Sequence, residues 1–203
     1  MQVLVLASGS QYRAELLRRV QRPFSQFSPQ IDESAHPGEA PPELARRLAR
    51  QKACAPAIQS YVETTDNPAG NAGAIIIASD QVAAVGEQML GKPGTAERAR
   101  EQLASMRGQR VVFSTALYML NTHSQAVFAA LDQTVAQLRM LSDAEIERYI
   151  DADQPLDCAG SFKVESLGIS LFDTVESQDP TALIGLPMIA VCQGLRQLGL
   201  AIP

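Results

Sequence analysis

An apolar run, a small polar turn and a helical pattern follow one another near the start of this chain, and their order constrains the fold. Residues Val3–Ala7 are all apolar, which predicts a buried strand, and residues 14–20 carry leucine and valine on one stripe of a helix. Between them lies Ser-Gly-Ser-Gln-Tyr-Arg at positions 8–13. A buried strand that leads through a tight turn into a helix is typical of α/β folds.

The polar turn has two interpretations. N–H groups at a helix start lack partners within the helix and attract anions, and Gly9 lets a ligand approach the backbone. Ser8, Ser10 and Arg13 offer further donors to a phosphate. Alternatively, a serine only caps the helix, with Gln11 as the capping-box partner of Ser8. For the turn alone the capping interpretation is the stronger one, and the rest of the chain changes that weighting.

Length and charge limit the classes of protein to which the chain can belong. A length of 203 residues suits one domain over residues 1–203, with two lobes. The formal net charge of −5 argues against a protein that binds nucleic acid polymers, because such a protein would show a basic stripe. It does not argue against binding a single nucleotide.

Targeting and cysteine patterns favour a cytoplasmic protein. No apolar run approaches the ~20 residues of a membrane span, and the first residues show no signal-peptide pattern. Three cysteines lie far apart without metal-binding spacing, as is common in a reducing compartment. We therefore expect a cytoplasmic protein without a membrane partner.

A lysine stands beside the apolar stripe of the second predicted helix. Pro41 and Pro42 suit a first helical turn, and Leu44 and Leu48 mark the buried stripe. Lys52 lies roughly 40° around the helix from Leu48. Either its stem reaches out to solvent, which is the commoner case, or its ammonium points into a cleft.

A carboxylate follows the strongest predicted strand. Residues 74–79 form this strand, and Asp80 comes directly after it, where ligand crevices form in α/β proteins. The alternative is an aspartate that caps a turn. Function is favoured here, because residues 81–85 continue as strand and leave little turn to cap.

Turn residues and apolar spacing predict the other elements. They are a strand at Phe24–Phe27, a loop at 29–42, a turn at 66–73, a hairpin turn at 86–88, a helix from a Thr95 cap to residue 107, strands at 110–120 and 125–138, a helix capped by Ser142 and Glu145 and ending near Ile150, a strand at 168–172, and a last helix opened by Gly185 and Pro187 with Ile189 on its buried side. Lys163 and Glu165 lie two positions apart in a Gly/Ser turn, so an extended backbone would place both on one side.

Four cations and two carboxylates stand out near the ends of these elements. They are Arg13, Lys52, Lys92, Lys163, Glu33 and Asp80. Four cations can neutralise a triphosphate, and two carboxylates can hold Mg²⁺, which prefers oxygen ligands. Cations together with carboxylates that can hold a metal ion are the groups that phosphoryl or nucleotidyl transfer uses. The set is not a P-loop site, because the Gly-x-x-x-x-Gly-Lys-Ser/Thr motif is absent.

Seven short blocks occur in the order found in the Maf-like nucleotide pyrophosphatases, which the chain resembles over nearly its full length. The blocks are LASGS (6–10) with Arg13, Asp32-Glu33, ARQKA (49–53), SDQV (79–82), GKP (91–93), DCAGSFKVE (157–165) and GLP (185–187). Each block is weak alone, whereas seven in this order are a specific pattern.

The resemblance implies both a fold and a reaction. The implied fold is an elongated, mixed-sheet α/β fold of the Maf/Ham1 (ITPase-like) type, with a central cleft between two lobes. The implied enzyme is a hydrolase that uses Mg²⁺ or Mn²⁺ and converts a nucleoside triphosphate to the monophosphate and pyrophosphate. The family's general base corresponds to Asp80. On this hypothesis Glu33 and Asp80 hold the metal, and the phosphates are bound by Ser8, Ser10, Arg13, Lys52, Lys92 and Lys163.

Three positions bear on the substrate. The branch of the family that acts on dTTP and UTP carries Arg, Thr and Gly-x-Gln where this chain has Tyr12, Gln81 and Lys163-x-Glu165. The branch that acts on 7-methyl-GTP carries an aromatic residue, Gln and Lys-x-Glu, and this chain resembles that branch. It departs from the family at Gln11, where a proline is usual, and in having Tyr12 rather than Trp.

Physical chemistry agrees with this assignment. A 7-methylated guanine ring carries positive charge, which an aromatic face attracts and which suits a neighbouring carboxylate. Tyr12 and Glu165 would be the specificity residues, together with Gln81. Two alternatives stay open: the same reaction on dTTP and UTP, and a nucleotide-binding regulator of septation or cell division without turnover. A homodimer is a further hypothesis.

Overall fold

A computed structural model describes residues 3–64 and 73–203 of the chain. In those ranges the strands are β1 (Val3–Ala7), β2 (Phe24–Phe27), β3 (Ala74–Val85), β4 (Gln88–Leu90), β5 (Arg110–Asn121), β6 (Val127–Leu138) and β7 (Phe172–Glu176). The helices are α1 (Gln11–Arg18), α2 (Pro41–Cys54), α3 (Pro56–Thr64), α4 (Ala96–Ser105), α5 (Asp143–Asp153) and α6 (Met188–Gln197), with short 3-10 helices at Ala159–Ser161, Leu167–Leu171 and Ala182–Ile184. The predicted turn at 66–73 lies outside the described residues except for Gly73.

All these strands belong to one mixed sheet, with the order β2-β1-β3-β5-β6-β7 and β4 paired to β3. β1 runs parallel to both β2 and β3, and the other pairs are antiparallel. The predicted mixed-sheet α/β class is therefore confirmed. The single-domain organisation stays a prediction. None of the described helices is long and apolar enough to span a bilayer.

The central strands are buried on both faces. Leu4 and Leu6 of β1 pack with α1 and α6 on one face, whereas Val5 packs with α3 on the other. Ile75 and Ile76 of β3 divide between the faces in the same way, because successive side chains of a strand point in opposite directions. Burial on both faces explains why β1 and the first half of β3 are continuous apolar runs.

A separate core lies at the far end of β3 and β5. Here α4 and α5 pack on the sheet through Leu103, Ile146 and Tyr149, and Phe113 meets Phe162 edge to face, with ring centroids 5.2 Å apart. The cleft lies where this core meets the end of the sheet that carries α1 on one face and α2 on the other. Its position agrees with the central cleft that the sequence predicts.

The segment 163–172 differs from its prediction. It is a turn followed by the 3-10 helix Leu167–Leu171, and β7 begins only at Phe172. The backbone folds back, because the N–H groups of Ser166 and Gly168 both donate to Lys163 O, at 3.2 and 3.0 Å. A Cβ at Gly168 would lie 2.4 Å from that same oxygen, so glycine permits this approach. The extended backbone that would place Lys163 and Glu165 on one side is therefore not formed, and the strand predicted at 168–172 is wrong.

Two helices differ in part from their predictions, one in its C-terminal end and the other in a residue of its buried face. The predicted capping box of Ser142 and Glu145 is present at the start of α5, but the helix continues past Ile150 to Asp153. In α6, Ile189 is 61% exposed rather than buried, because it lies in the first turn beyond the edge of the packed face.

A buried carboxylate fixes the start of α6. Asp179, only 4% exposed, accepts hydrogen bonds from Ile189 N (2.6 Å) and from Thr181 N and Oγ1 (3.0 and 2.6 Å). Thr181 Oγ1 in turn accepts from Met188 N at 2.8 Å. These bonds supply partners for helix N–H groups that have none within the helix. They also fix the ends of the turn at 179–187.

We expect Asp179→Asn to lower the free energy of unfolding by about 1–3 kcal/mol, since the amide loses one acceptor oxygen and the charge that strengthens these bonds. Urea unfolding of the purified protein measures this. The matched control is Asp173→Asn, because Asp173 is exposed on β7. Equal urea midpoints for Asp179→Asn and Asp173→Asn would contradict the stabilising role of the Asp179 carboxylate at the start of α6.

Candidate active site

The polar turn at the end of β1 forms hydrogen bonds with the first turn of α1. Ser10 is the N-cap of α1, with its Oγ accepting from Arg13 N at 3.3 Å. The predicted alternative, a capping box of Ser8 and Gln11, is wrong, since Ser8 Oγ instead accepts from Ser10 N and Arg13 Nη1, both at 3.2 Å. Both serines and the arginine are thus held at the N-terminus of α1.

Gln26, which the sequence analysis did not single out, orients this turn. Its Nε2 donates to Ser8 O at 2.8 Å and Ser10 O at 3.3 Å from the neighbouring strand β2. Gly9 passes close to β2 as well, because an added Cβ would lie 3.0 Å from Ser28 Oγ. With its carbonyls held toward β2, the turn lines the cleft beside it.

Lys52 occupies the centre of the site. It is 8% exposed, and its Nζ lies 2.7 Å from Glu33 Oε1 and contacts Asp80 Oδ1 directly. Of the two interpretations of Lys52, the structure therefore has the ammonium pointing into the cleft. Burial would raise the pKa of Glu33, but the hydrogen bond from Lys52 and the charges of Lys52, Lys92 and Arg13 outweigh it and lower the pKa.

Asp80 lies inside a strand rather than after one. β3 runs unbroken from Ala74 to Val85, and Asp80, 7% exposed, is paired with Ala116 of β5. On the other side of β3, the described pairing with β1 stops at Ile77 and pairing with β4 starts at Ala83. Asp80 and Gln81 lie in the unpaired interval between them and line the cleft. The site therefore forms at a gap in the sheet.

Arg13 is fixed by the turn that precedes α6. Its Nε donates to Gly185 O at 2.9 Å, and Ser79 Oγ donates to the same oxygen at 2.9 Å. Gly185 has φ of 118°, and a Cβ there would lie 3.2 Å from Arg13 Nε. Burial lowers the pKa of Arg13, while the charges of Asp80 and Glu33 raise it. The guanidinium is thus held beside both carboxylates.

A second arginine fixes the loop that carries Glu33. Arg47 of α2 forms a two-pronged ion pair with Glu39, with Nε–Oε1 at 2.7 Å and Nη2–Oε2 at 2.8 Å, and also donates to Ser34 O at 2.8 Å. His36 N donates to Glu39 Oε2 at 3.0 Å. The loop is therefore attached to the same helix that presents Lys52.

The cleft has two parts. The polar part, about 540 Å³, is lined by the 7–13 turn, Glu33, Lys52, Asp80 and Lys92. The aromatic part, about 170 Å³, adjoins it and is lined by aromatic and apolar groups and by a carboxylate that the polar part lacks. These are Phe113, Phe162, Val164, Leu183 and Glu165. Tyr12, Arg13, Gln81 and Lys92 line both parts.

The predicted specificity residues face the aromatic part. Burial raises the pKa of Tyr12, and the negative charges of Asp157, Glu165 and Glu15 add to the increase. Burial also raises the pKa of Glu165. Gln81 Nε2 donates to Thr115 Oγ1, Ala182 O and Leu183 O, at 2.9, 2.9 and 3.1 Å. This end of the cleft therefore holds Tyr12 and Glu165, whereas the other end holds three cations among its carboxylates.

Lys163 is the predicted site residue that the structure does not bring to the cleft. Its Nζ donates to Asp153 O (3.0 Å) and Gln154 O (3.2 Å) at the end of α5, and it lines neither part of the cleft. Tyr149 Oη accepts from Lys163 N at 2.9 Å. A cation at the C-terminus of a helix is stabilised by the exposed carbonyls there. Lys163 thus anchors the loop that carries Glu165.

Among residues 3–64 and 73–203, no three or more histidine, cysteine, aspartate or glutamate side chains cluster in a way that could hold a metal ion. Two carboxylates, Glu33 and Asp80, do converge on one point, which the Lys52 ammonium occupies. Two carboxylate oxygens around a positive charge suit a hard divalent cation whose remaining ligands come from water and phosphate.

Comparison with known proteins assigns the family. The model of the family described as "Maf: Maf-like protein" matches residues 3–198. The chain belongs to the Maf family. This confirms the family to which the seven sequence blocks pointed.

Relatives of this Maf protein align along nearly its whole length. A "7-methyl-GTP pyrophosphatase" of Xanthomonas axonopodis pv. citri is 53% identical over 98% of both chains. Proteins of the same name from Pseudomonas putida and Aromatoleum aromaticum are 48% and 46% identical over 98% of this chain, and over 98% and 97% of theirs. The solved Staphylococcus aureus Ham1 protein aligns with 14% identity over 68% of this chain and 72% of that one, at a TM-score of 0.43, which is too distant to assign a shared architecture.

Several residues that shape the site of this Maf protein carry no signal of their own in one sequence. Gln26, Arg47, Glu39 and Thr115 act through backbone carbonyls or through each other, and nothing in their spacing predicts those partners. Ser79 is different. A serine next to an aspartate in an otherwise apolar strand could have been recognised as a second polar group of the site.

The Arg47–Glu39 pair yields a pH-dependent prediction. The hydrogen bond from Arg47, and then that from His36 N, lower the pKa of Glu39 from 4.5 to about 2. A lowered pKa means that the stabilisation is fully present above about pH 4.5 and is lost as the pH falls toward 2. We expect Glu39→Gln to be less stable than the wild type at pH 7, with a difference that shrinks steadily between pH 4.5 and 2.

Urea unfolding at a series of pH values measures this difference. Glu87→Gln is the matched control, because Glu87 is exposed in the turn between β3 and β4. A wild-type advantage over Glu39→Gln that is the same at pH 7 and pH 2.5 would refute the role of the pair.

Proposed function

We propose that this protein hydrolyses 7-methyl-GTP to 7-methyl-GMP and pyrophosphate. The observation that carries the proposal is one continuous cleft with three cations, Lys52 among them, in its polar part and with Tyr12 and Glu165 in its aromatic part. Relatives that are about half identical over the full length bear the name of this activity. The cytoplasmic location and the homodimer stay predictions.

The polar part of the cleft suits a triphosphate. Arg13, Lys52 and Lys92 supply three positive charges, and the N–H groups at the start of α1 add further donors. Charged donors of this kind bind phosphate oxygens strongly, and Arg13 is already held by Gly185 O and Ser8 Oγ. A guanidinium that is positioned in advance loses little entropy when it binds.

The aromatic part suits a positively charged base. The ring of Tyr12 can attract a cationic purine through its face, and Glu165 can accept from the guanine N1–H and its exocyclic amine. Burial and the charge of Asp157 make Glu165 harder to ionise, and a cation beside it would reverse that effect. Methylation of the base therefore supplies the charge that this part lacks.

Asp80 is the group placed to activate water. Lys52 contacts its Oδ1, within the described ranges nothing donates to Oδ2, and Asp80 lines the polar part of the cleft. In the proposed step Oδ2 takes a proton from water as the water oxygen bonds to the α-phosphorus. The bond from that phosphorus to the oxygen that bridges to the β-phosphorus breaks, and pyrophosphate leaves with the electron pair. Positioning and charge stabilisation supply most of the rate.

Glu33 and Asp80 are the residues that would hold Mg²⁺ or Mn²⁺, through the carboxylate oxygens that do not contact Lys52, because hard divalent cations prefer oxygen ligands. When bound, such an ion neutralises charge on the phosphates. Lys52 lies between both carboxylates and keeps them in place for the ion. Arg47 and Glu39 hold the loop from which Glu33 reaches this point.

A nucleotide panel tests the reaction. We expect pyrophosphate release with Mg²⁺ to be fastest for 7-methyl-GTP among 7-methyl-GTP, GTP, UTP and dTTP. Asp80→Asn should lower kcat by roughly 10²–10⁴-fold, because the amide cannot accept the proton. The exposed Asp173→Asn is the matched control. A preference for UTP and dTTP would keep the enzyme and overturn the roles of Tyr12 and Glu165, whereas tight binding without turnover would favour a regulator.

Metal dependence is tested separately. Treatment with a chelator should abolish activity, and Mg²⁺ or Mn²⁺ should restore it. We expect Glu33→Gln to raise the metal concentration for half-maximal activity by at least roughly tenfold, because one of the two carboxylates is lost. The control is Glu87→Gln. An unchanged metal requirement in Glu33→Gln would exclude Glu33 from the metal site.

A further inference from the structure

A set of residues forms the wall that both parts of the cleft share. It consists of Ser10, Tyr12, Arg13, Gln81, Lys92 and Asp157. In a nucleotide the ribose lies between the polyphosphate and the base. A ligand with its phosphates in the polar part and its base in the aromatic part must therefore place its ribose against this wall.

Asp157 is the carboxylate of the shared wall. The two cations there, Arg13 and Lys92, would pair with the phosphates on the proposed function, and the amide nitrogen of Gln81 is engaged by Thr115 and the backbone of residues 182–183. Ser10 Oγ accepts from Arg13 N. Asp157, by contrast, has a side chain that is 69% exposed and opens onto the cleft.

The contacts of Asp157 leave acceptor capacity unused. Cys158 Sγ lies 3.5 Å from its Oδ1, and Lys163 Nζ lies 3.9 Å from the same atom, too far for a hydrogen bond. Nothing in residues 3–64 and 73–203 donates to Oδ2. The charge of Asp157 nevertheless reaches the site, since it contributes to the raised pKa of Tyr12. The carboxylate is thus close to the cleft and free to accept.

We infer that Asp157 binds the ribose hydroxyls of the substrate. This inference rests on the proposed nucleotide pyrophosphatase function. A carboxylate accepts hydrogen bonds and repels phosphates, so the hydroxyls of the sugar are the donors at this point of the nucleotide. An acidic side chain serves the same purpose at the ribose in dinucleotide-binding folds. The donors of the base lie farther into the aromatic part, where Glu165 is placed to accept from them.

A comparison of sugars tests the inference. The substrates are the 7-methyl derivatives of GTP, 2′-dGTP and 2′,3′-ddGTP, and the variants are Asp157→Ala and the control Asp173→Ala. For the wild type we expect kcat/KM to fall on the order of tenfold from the ribo to the dideoxy substrate, as for loss of a hydrogen bond to a charged group. Asp157→Ala should lose a similar factor with the ribo substrate, mostly through KM, and almost nothing with the dideoxy substrate. The 2′-deoxy compound identifies the hydroxyl.

Each other outcome overturns the inference. An equal loss with all three sugars would mean that Asp157 acts elsewhere, and a loss reversed by excess Mg²⁺ would make it a metal ligand. Faster turnover of Asp157→Ala would show only repulsion of the phosphates. If the wild type releases no pyrophosphate from any of the three, the proposed function itself has failed, which the wild-type assay alone reveals.

Discussion

The contact of one buried ammonium with two carboxylates determines the geometry of the site. Lys52, Asp80 and Glu33 come from a helix, a strand and a loop, and a charge buried to this extent is tolerated only when it is paired. The pairing therefore holds α2, β3 and the loop in one arrangement. Removing Lys52 would leave two carboxylates without their shared partner in the cleft wall.

The sheet explains why these groups meet. β3 carries Ser79, Asp80 and Gln81 in succession, and the period of a strand sends the first and third to the side of the 179–187 turn and the second toward α2. Because β1 ends and β4 begins on the same edge of β3, the strand is unpaired there among the described residues. The site forms where the polar side chains of Ser79, Asp80 and Gln81 lie along this unpaired part of β3.

Local patterns predicted those parts of the structure that depend on neighbours in sequence. The strand–turn–helix unit, the apolar stripe of α2 and the Ser142–Glu145 cap are present as expected, whereas the stripe alone did not decide which way Lys52 points. The strand predicted at 168–172 is wrong, because most of this segment forms a 3-10 helix whose glycine packs on Lys163 O. Such contacts join backbone atoms, and side-chain periodicity gives no information about them. The same holds for Gln26, whose partners are the carbonyls of the turn.

Lys163 shows how the structure changes the charge balance that the sequence suggested. Four cations were expected to face the phosphates, but Lys163 binds the carbonyls at the end of α5. Arg13, Lys52 and Lys92 then share the polar part with Glu33, Asp80 and Asp157, so three positive and three negative groups leave no net positive charge. A triphosphate adds further negative charge. The side chains alone cannot neutralise it, and this shortfall is the physical reason for a divalent cation beside Glu33 and Asp80.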